Sequence, residues 1–262
     1  MRQDIYLYND AGGWGVLAGD VIRQIVEDNR EHDEQFVFSH KAALFDLEGD
    51  DYSVIRVVAN EPLTEAEERE WIARARWRLN ISDGQVIICS GFDPDSIAYW
   101  LDEGDGYEVR SINIPALDYQ VTLYTYLHSM NGAVWLGDRS LLPELSEWFQ
   151  RDHPNASLPT RVAAIYAYED VAPEDDWYPM RENVQSGKIL IEKEPLYWIG
   201  YLIHFSPFTS AKELDQPGAY GWFESKTGLR VPTLCPLGIP TSCTEDNDIA
   251  HKVEWSFEDT SI

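Results

Sequence analysis

Ala73-Arg74-Ala75-Arg76-Trp77-Arg78-Leu79-Asn80-Ile81 alternates without a break between an apolar and a polar side chain. A β-strand turns successive side chains to opposite faces, so this period of two predicts a strand with one apolar face and one basic face. Short runs of similar character lie on either side. Tyr52 to Val58 is rich in β-branched residues, and Val86-Ile87-Ile88-Cys89 follows the turn signal Ser82-Asp83-Gly84, which reads as a hairpin from the Arg-bearing strand. Further strands are predicted at Ile5 to Tyr8, Gln35 to Ser39, Lys41 to Leu47, Val109 to Ile114, Tyr119 to Leu127, Val162 to Tyr168 and Tyr197 to Phe205, with two strands in all expected between 188 and 205.

Helical signals are fewer. Leu17, Ala18, Val21, Ile22, Ile25 and Val26 recur at helical spacing and predict a helix over about residues 17–29. Thr64-Glu65-Ala66-Glu67 is a capping box that starts a short helix. Asp93-Pro94-Asp95 is a second helix start, with Asp as N-cap and Pro at the first position, and residues 139–151 form a surface helix. Together these elements predict a mainly β protein of two β-sandwich-like modules with a few short helices. The modules are placed at 1–150 and 151–262, around the linker candidate His153-Pro154-Asn155-Ala156-Ser157.

Charge narrows the function. The chain has 262 residues, with 46 Asp and Glu against 20 Lys and Arg, a formal net charge of −26. The acid is spread along the chain: residues 1–140 hold 26 acidic and 11 basic residues, and 141–262 hold 20 and 9. Such a surface repels nucleic acid and anionic membranes and speeds capture of basic proteins. Aromatic content of 13% excludes global disorder. No apolar run is long enough for a membrane helix and the N-terminus lacks signal-peptide architecture, so a cytoplasmic protein is expected. Three cysteines, Cys89, Cys235 and Cys243, do not make a disulfide framework, although the last two are close enough in sequence to pair.

No motif identifies a reaction. Gly12-Gly13-Trp14-Gly15 lacks the spacing of a nucleotide loop and reads as a tight turn. The six histidines are scattered, and His128 and His204 read as hydrogen-bonded rim residues at strand ends. No cofactor or metal is expected, since the acidic turn after the second helix does not match a calcium-binding loop. The basic face of Arg74, Arg76 and Arg78 is expected to meet carboxylates across the sheet.

Residues 36 to 130 resemble the competence protein J family. The resemblance is carried by Ala42-Ala43-Leu44-Phe45-Asp46, by Ser53 to Val58, by Arg74 to Ile81, by Ser82-Asp83-Gly84-Gln85-Val86-Ile87-Ile88, and by Val109 to Pro115 with Asp118 to Tyr124. Ala116-Leu117 replaces the glycine-bearing turn of the family's closing strand, and the segment 94–101 is inserted. The resemblance implies a small β-rich inhibitor of a DNA-entry nuclease.

Charge and resemblance lead to one expectation: a cytoplasmic immunity protein or nuclease inhibitor of a bacterial toxin system. It is not an enzyme, and it binds a basic nuclease toxin across its cleft. The contact residues are expected in two acidic loops that carry aromatics. One holds Asp102, Glu103, Asp105 and Glu108; the other holds Glu169, Asp170, Glu174, Asp175, Asp176 and Trp177. Two other classes stay open, a hydrolase with a dispersed active site and a DNA mimic that blocks a DNA-binding target.

Overall fold

The structure, a computed structural model, describes residues 1–9, 12–21, 24, 36–37, 39–46, 51–91, 108–137, 145–157, 198–209 and 228–243. Its strands are β1 (Arg2–Asn9), β2 (Gly13–Ala18), β3 (Ala42–Asp46), β4 (Asp51–Ala59), β5 (Ala73–Ile81), β6 (Gln85–Ser90), β7 (Val109–Asn113), β8 (Leu117–Thr125) and β9 (Tyr201–Pro207). Three short helices accompany them: α1 (Glu65–Arg69), α2 (Met130–Gly137) and α3 (Leu145–Asp152). The mainly β expectation holds.

The strands form two sheets, one of five strands in the order β1-β4-β9-β8-β5 and one of four in the order β3-β2-β6-β7. Alternation explains how they pack. In β5, Ala73, Ala75, Trp77, Leu79 and Ile81 are buried while the arginines between them are half-buried. The same alternation turns Tyr119, Val121 and Leu123 of β8 and Tyr201, Ile203 and Phe205 of β9 into one core with Val16, Val86, Ile88 and Phe45 of the second sheet. Edge-to-face pairs lock the sheets together: Trp14 against Tyr201 at 4.3 Å and Phe45 against Trp77 at 4.1 Å. Each large apolar side chain buried there contributes about 1.5–3 kcal/mol.

The chain path repeats. β1 and β4 pair in the first sheet while β2 and β3 pair in the second. β5 and β8 then pair in the first sheet while β6 and β7 pair in the second. The β2–β6 pairing joins the two units, and β9 enters between β4 and β8, parallel to the former and antiparallel to the latter. β9 comes from beyond the expected module boundary at 150, yet it lies inside the sheet built by the first 125 residues. Most of the expected second module lies outside the described residues.

Several local expectations are corrected. The turn Ser82-Asp83-Gly84, with Gly84 at φ +78°, does not close a hairpin: β5 pairs with β8 and β6 pairs with β2 and β7, so the turn carries the chain from one sheet to the other. Leu17 and Ala18 belong to β2, paired with Ala42 and Val86, and helical backbone is described only at 19–21 and 24 of the expected helix. Both faces of β2 are buried, so its continuous apolar run carries no alternation that would separate strand from helix. Phe36 and Val37 are helical rather than extended. The expected elements at 94–101, 162–168 and 188–196 lie outside the described residues.

Short-range chemistry fixes the helix that crosses the first sheet. The Glu67 amide donates to Thr64 Oγ1 (3.3 Å), and Glu67 Oε2 accepts from the Thr64 amide (2.7 Å), which is the expected capping box. At the other end of α1, Arg230 donates from Nε to the Trp71 carbonyl at 2.6 Å and from its terminal nitrogen to the Arg69 carbonyl. A guanidinium at a helix C-terminus satisfies carbonyls that have no partner in the helix and matches the dipole there.

Candidate functional site

The strand directions place several connections at one end of the sandwich. β1 ends at Asn9 and β2 begins at Gly13; β3 ends at Asp46 and β4 begins at Asp51; β6 ends at Ser90 and β7 begins at Val109. These six strand ends come together because Asn9 faces Asp51, Gly13 faces Asp46 and Cys89 faces Val109 in the ladders. β9 starts at this same end, with Tyr201 opposite Thr125, the last residue of β8.

The connections that leave and return here, residues 10–12, 47–50 and 92–107, carry eight carboxylates and no Lys or Arg. Asp102, Glu103 and Asp105 belong to the third of them. These three residues, and Glu169, Asp170, Glu174, Asp175, Asp176 and Trp177, lie outside the described residues. Glu108 is described: it is half-buried, and its carbonyl accepts from the Ser90 amide at 2.7 Å, closing the base of the β6–β7 connection. Beside it the Gly91 amide donates to the Gly13 carbonyl at 2.7 Å, which ties that base to the start of β2.

Away from this end, most described cations are matched. Arg56 binds Asp4 through two hydrogen bonds of 2.6 and 2.7 Å and reaches Glu67 at 3.2 Å. Arg2 joins the same carboxylate, and Thr241 donates to Asp4 at 2.6 Å. Glu67 has a fully buried side chain. Burial alone pushes its carboxyl up, but the Thr64 amide and the two guanidiniums outweigh that and hold it below the usual carboxylate range. Lys41 pairs with Asp20 at 2.5 Å, Arg69 with Glu65 and Glu70, and Arg151 with Asp152.

The Arg face of β5 departs from expectation. Among the described residues only Arg78 finds a carboxylate across the sheet, Asp118, at 2.6 Å, and this is a diagonal neighbour since Arg78 sits opposite Gln120 in the ladder. Arg74 instead lies over the Trp71 ring, 4.7 Å from its centroid. Among the described residues no carboxylate is at ion-pair distance from Arg74 or Arg76.

Three of the described histidines, and the Cys89 thiol, are committed to the backbone. His128 stacks on Trp198 at 4.3 Å and its Nε2 donates to the Leu237 carbonyl at 2.9 Å. Burial lowers its pKa to about 4, partly opposed by that hydrogen bond. Gly238 permits the stack: at φ +100° it sits where a Cβ would come within 2.5 Å of the His128 ring. His153 Nε2 bonds the Cys235 carbonyl at 2.7 Å while the Asp152 carboxylate accepts from the Cys235 amide at 2.7 Å, so the end of α3 grips one residue from both sides. His204 lies within β9 rather than at its end, and its ring bonds the Glu61 carbonyl at 3.0 Å.

No disulfide joins Cys235 and Cys243. Burial pushes the Cys89 thiol up to about 12 and the Cys235 thiol well above its ordinary value. Among the described residues no three His, Cys, Asp or Glu side chains gather as metal ligands, and no helix is long and apolar enough to cross a membrane.

No protein-family profile matches the chain, and no curated protein matches it. Two solved structures are similar over part of it. One is described as crocagin biosynthetic gene J, with 11% identity and a TM-score of 0.38 over 49% of this chain and 79% of its own. The other is ComJ from Bacillus subtilis, described as an inhibitor of the DNA degrading activity of NucA, with 14% identity and a TM-score of 0.32 over 47% of this chain and 81% of its own.

Proposed function

We propose that this chain is a protein-binding inhibitor that docks a basic nuclease at the acidic end of its sandwich. The observation that supports the reading is that six strand ends meet at one end of the fold, while the sequence segments that join them carry eight carboxylates and no Lys or Arg. Most described carboxylates elsewhere that meet a cation are neutralised within the sheets and helices, so they add little to a docking field.

A nuclease cleft is positive because it holds phosphates. Carboxylates of Asp102, Glu103, Asp105 and Glu108 substitute for those phosphates and accept hydrogen bonds from the cleft's Arg and Lys side chains. The loop of Glu169, Asp170, Glu174, Asp175, Asp176 and Trp177 supplies further charge and one large aromatic anchor. Such an inhibitor blocks substrate by occupancy, so its mechanism needs steering and fit rather than a nucleophile.

The test is binding and inhibition with purified cationic nucleases. Replacing Asp102, Glu103 and Asp105 together by Lys, or Glu174, Asp175 and Asp176 together by Lys, is expected to slow association most at low salt while leaving the urea midpoint unchanged. Unaltered association in both triple variants sinks the site assignment, and absence of binding to any cationic nuclease sinks the function.

A further inference from the structure

One cluster of like charge is left without an internal explanation. β5 presents Arg74, Arg76 and Arg78 on one face because the alternate positions are buried in the core. Arg78 is neutralised by Asp118. Arg74 and Arg76 meet no carboxylate among the described residues, in a chain with 46 acidic side chains against 20 basic ones. A third guanidinium stands beside them: Arg230 lies 3.6 Å from the centroid of the same Trp71 ring that Arg74 covers. Its hydrogen bonds go to carbonyl oxygens, so its charge is not cancelled by a carboxylate hydrogen bond. Burial first, and then repulsion from Arg74, lower the Arg230 pKa.

The surroundings supply a neutral donor as well as charge. In the ladder Tyr124 lies opposite Arg74 and Thr122 opposite Arg76. Tyr124 is buried, and burial raises its pKa, while the charges of Arg74 and Arg76 pull it back. Both guanidiniums therefore lie within electrostatic reach of one phenol hydroxyl. The carboxylate of Glu70 is occupied by Arg69 Nε at 2.9 Å and the Leu237 amide at 2.9 Å, so it does not neutralise the pair.

We propose that Arg74, Arg76 and the Tyr124 hydroxyl form a binding site for a tetrahedral oxyanion, a phosphate or phosphate monoester. Residues i and i+2 of a strand are about 7 Å apart, which lets two flexible guanidinium forks converge on one anion. Guanidiniums suit the task because they stay charged, are weakly hydrated and offer paired donors. The negative field of the rest of the molecule does not prevent this: exposed charges beyond about 8 Å are screened at physiological ionic strength, so the local cations decide. The site lies on the outer face of the first sheet and does not depend on the acidic end or on a nuclease partner.

The experiment is calorimetric titration of the full chain with inorganic phosphate at fixed ionic strength, with O-phosphoserine as a second arm. Saturable one-site binding is expected. Arg74→Gln and Arg76→Gln are each expected to weaken it about tenfold, the effect of one lost charge-assisted hydrogen bond. Lys41→Gln, whose cation already faces Asp20, is expected to leave it unchanged. Arg76 makes no ion pair among the described residues, so Arg76→Gln folds and carries the test even if Arg74→Gln does not. Binding of both ligands assigns the site to the free dianion, and binding of phosphoserine alone assigns it to an ester. Saturation by neither ligand, or affinity unchanged in Arg76→Gln, overturns the proposal.

Discussion

Replacing Glu67 by Gln tests whether the buried ion network holds the first sheet to its covering helix. The carboxylate side chain is fully buried and serves three groups: the Thr64 amide at 2.7 Å, Arg56 at 3.2 Å, and Arg2. Gln keeps the volume and one acceptor oxygen, but its amide nitrogen faces a guanidinium that also donates. Arg56 keeps both bonds to Asp4, and Arg2 keeps the Pro62 carbonyl at 2.9 Å. Those remaining partners place the expected loss at the lower end of the range for breaking a buried pair, about 3 kcal/mol. The assay is urea unfolding at pH 7 with the slope held common to both proteins.

Glu67 also sets a pH signature. Its folded pKa is depressed, so its contribution is fully present above its unfolded value of about 4.3 and is lost as pH falls through the lower folded value. The gap between wild type and Glu67→Gln is therefore expected to close as the solution is acidified below that point. A loss under about 1 kcal/mol at pH 7, or a gap that widens on acidification, refutes the reasoning.

Further outcomes follow from the buried groups. His128 has a folded pKa of about 4, below its unfolded value, so it opposes stability increasingly as pH falls from about 6.5 to 4; His128→Phe is expected to flatten that part of the urea-stability profile by up to about 3 kcal/mol. Native thiol titration at pH 8 is expected to label Cys243, which is half-buried, while Cys89 and Cys235 react only after unfolding. Arg78→Ala is expected to leave the urea midpoint nearly unchanged, because the Arg78–Asp118 pair is substantially solvated.

Much of the sandwich was legible because its outermost signals are local. The alternation of β5 named its buried face residue by residue, and Thr64 with Glu67 announced α1. The turn at Ser82-Asp83-Gly84 was legible as a turn but not as a crossing between sheets. A tight turn looks the same whether the next strand pairs with the last or moves to another layer, and here the distant β8 takes the partner position beside β5. β9 shows the same limit: its apolar run marks a strand, but its place between β4 and β8 depends on contacts more than 70 residues away in sequence. Leu17 and Ala18 matched helical spacing because a strand buried on both faces has no alternation to show.

The candidate site divides in the same way. Acidic segments are visible as composition, yet only the strand register shows that the six strand ends they join meet at one end of the molecule. The fate of the β5 arginines was not legible at all. A period of two says that three cations share a face, but which of them meets acid depends on the side chains of β8, where Asp118 stands near Arg78 while Thr122 and Tyr124 stand opposite the other two.

The central claim is that the acidic end captures a basic nuclease. Its most direct test is the association rate of a purified cationic nuclease that the wild-type chain inhibits, measured across a salt series against the Asp102→Lys, Glu103→Lys, Asp105→Lys triple variant. The account predicts a rate at least about tenfold slower for the variant at low salt, convergence of the two rates at high salt, and weakened inhibition. Equal rates at low salt with inhibition intact would contradict it.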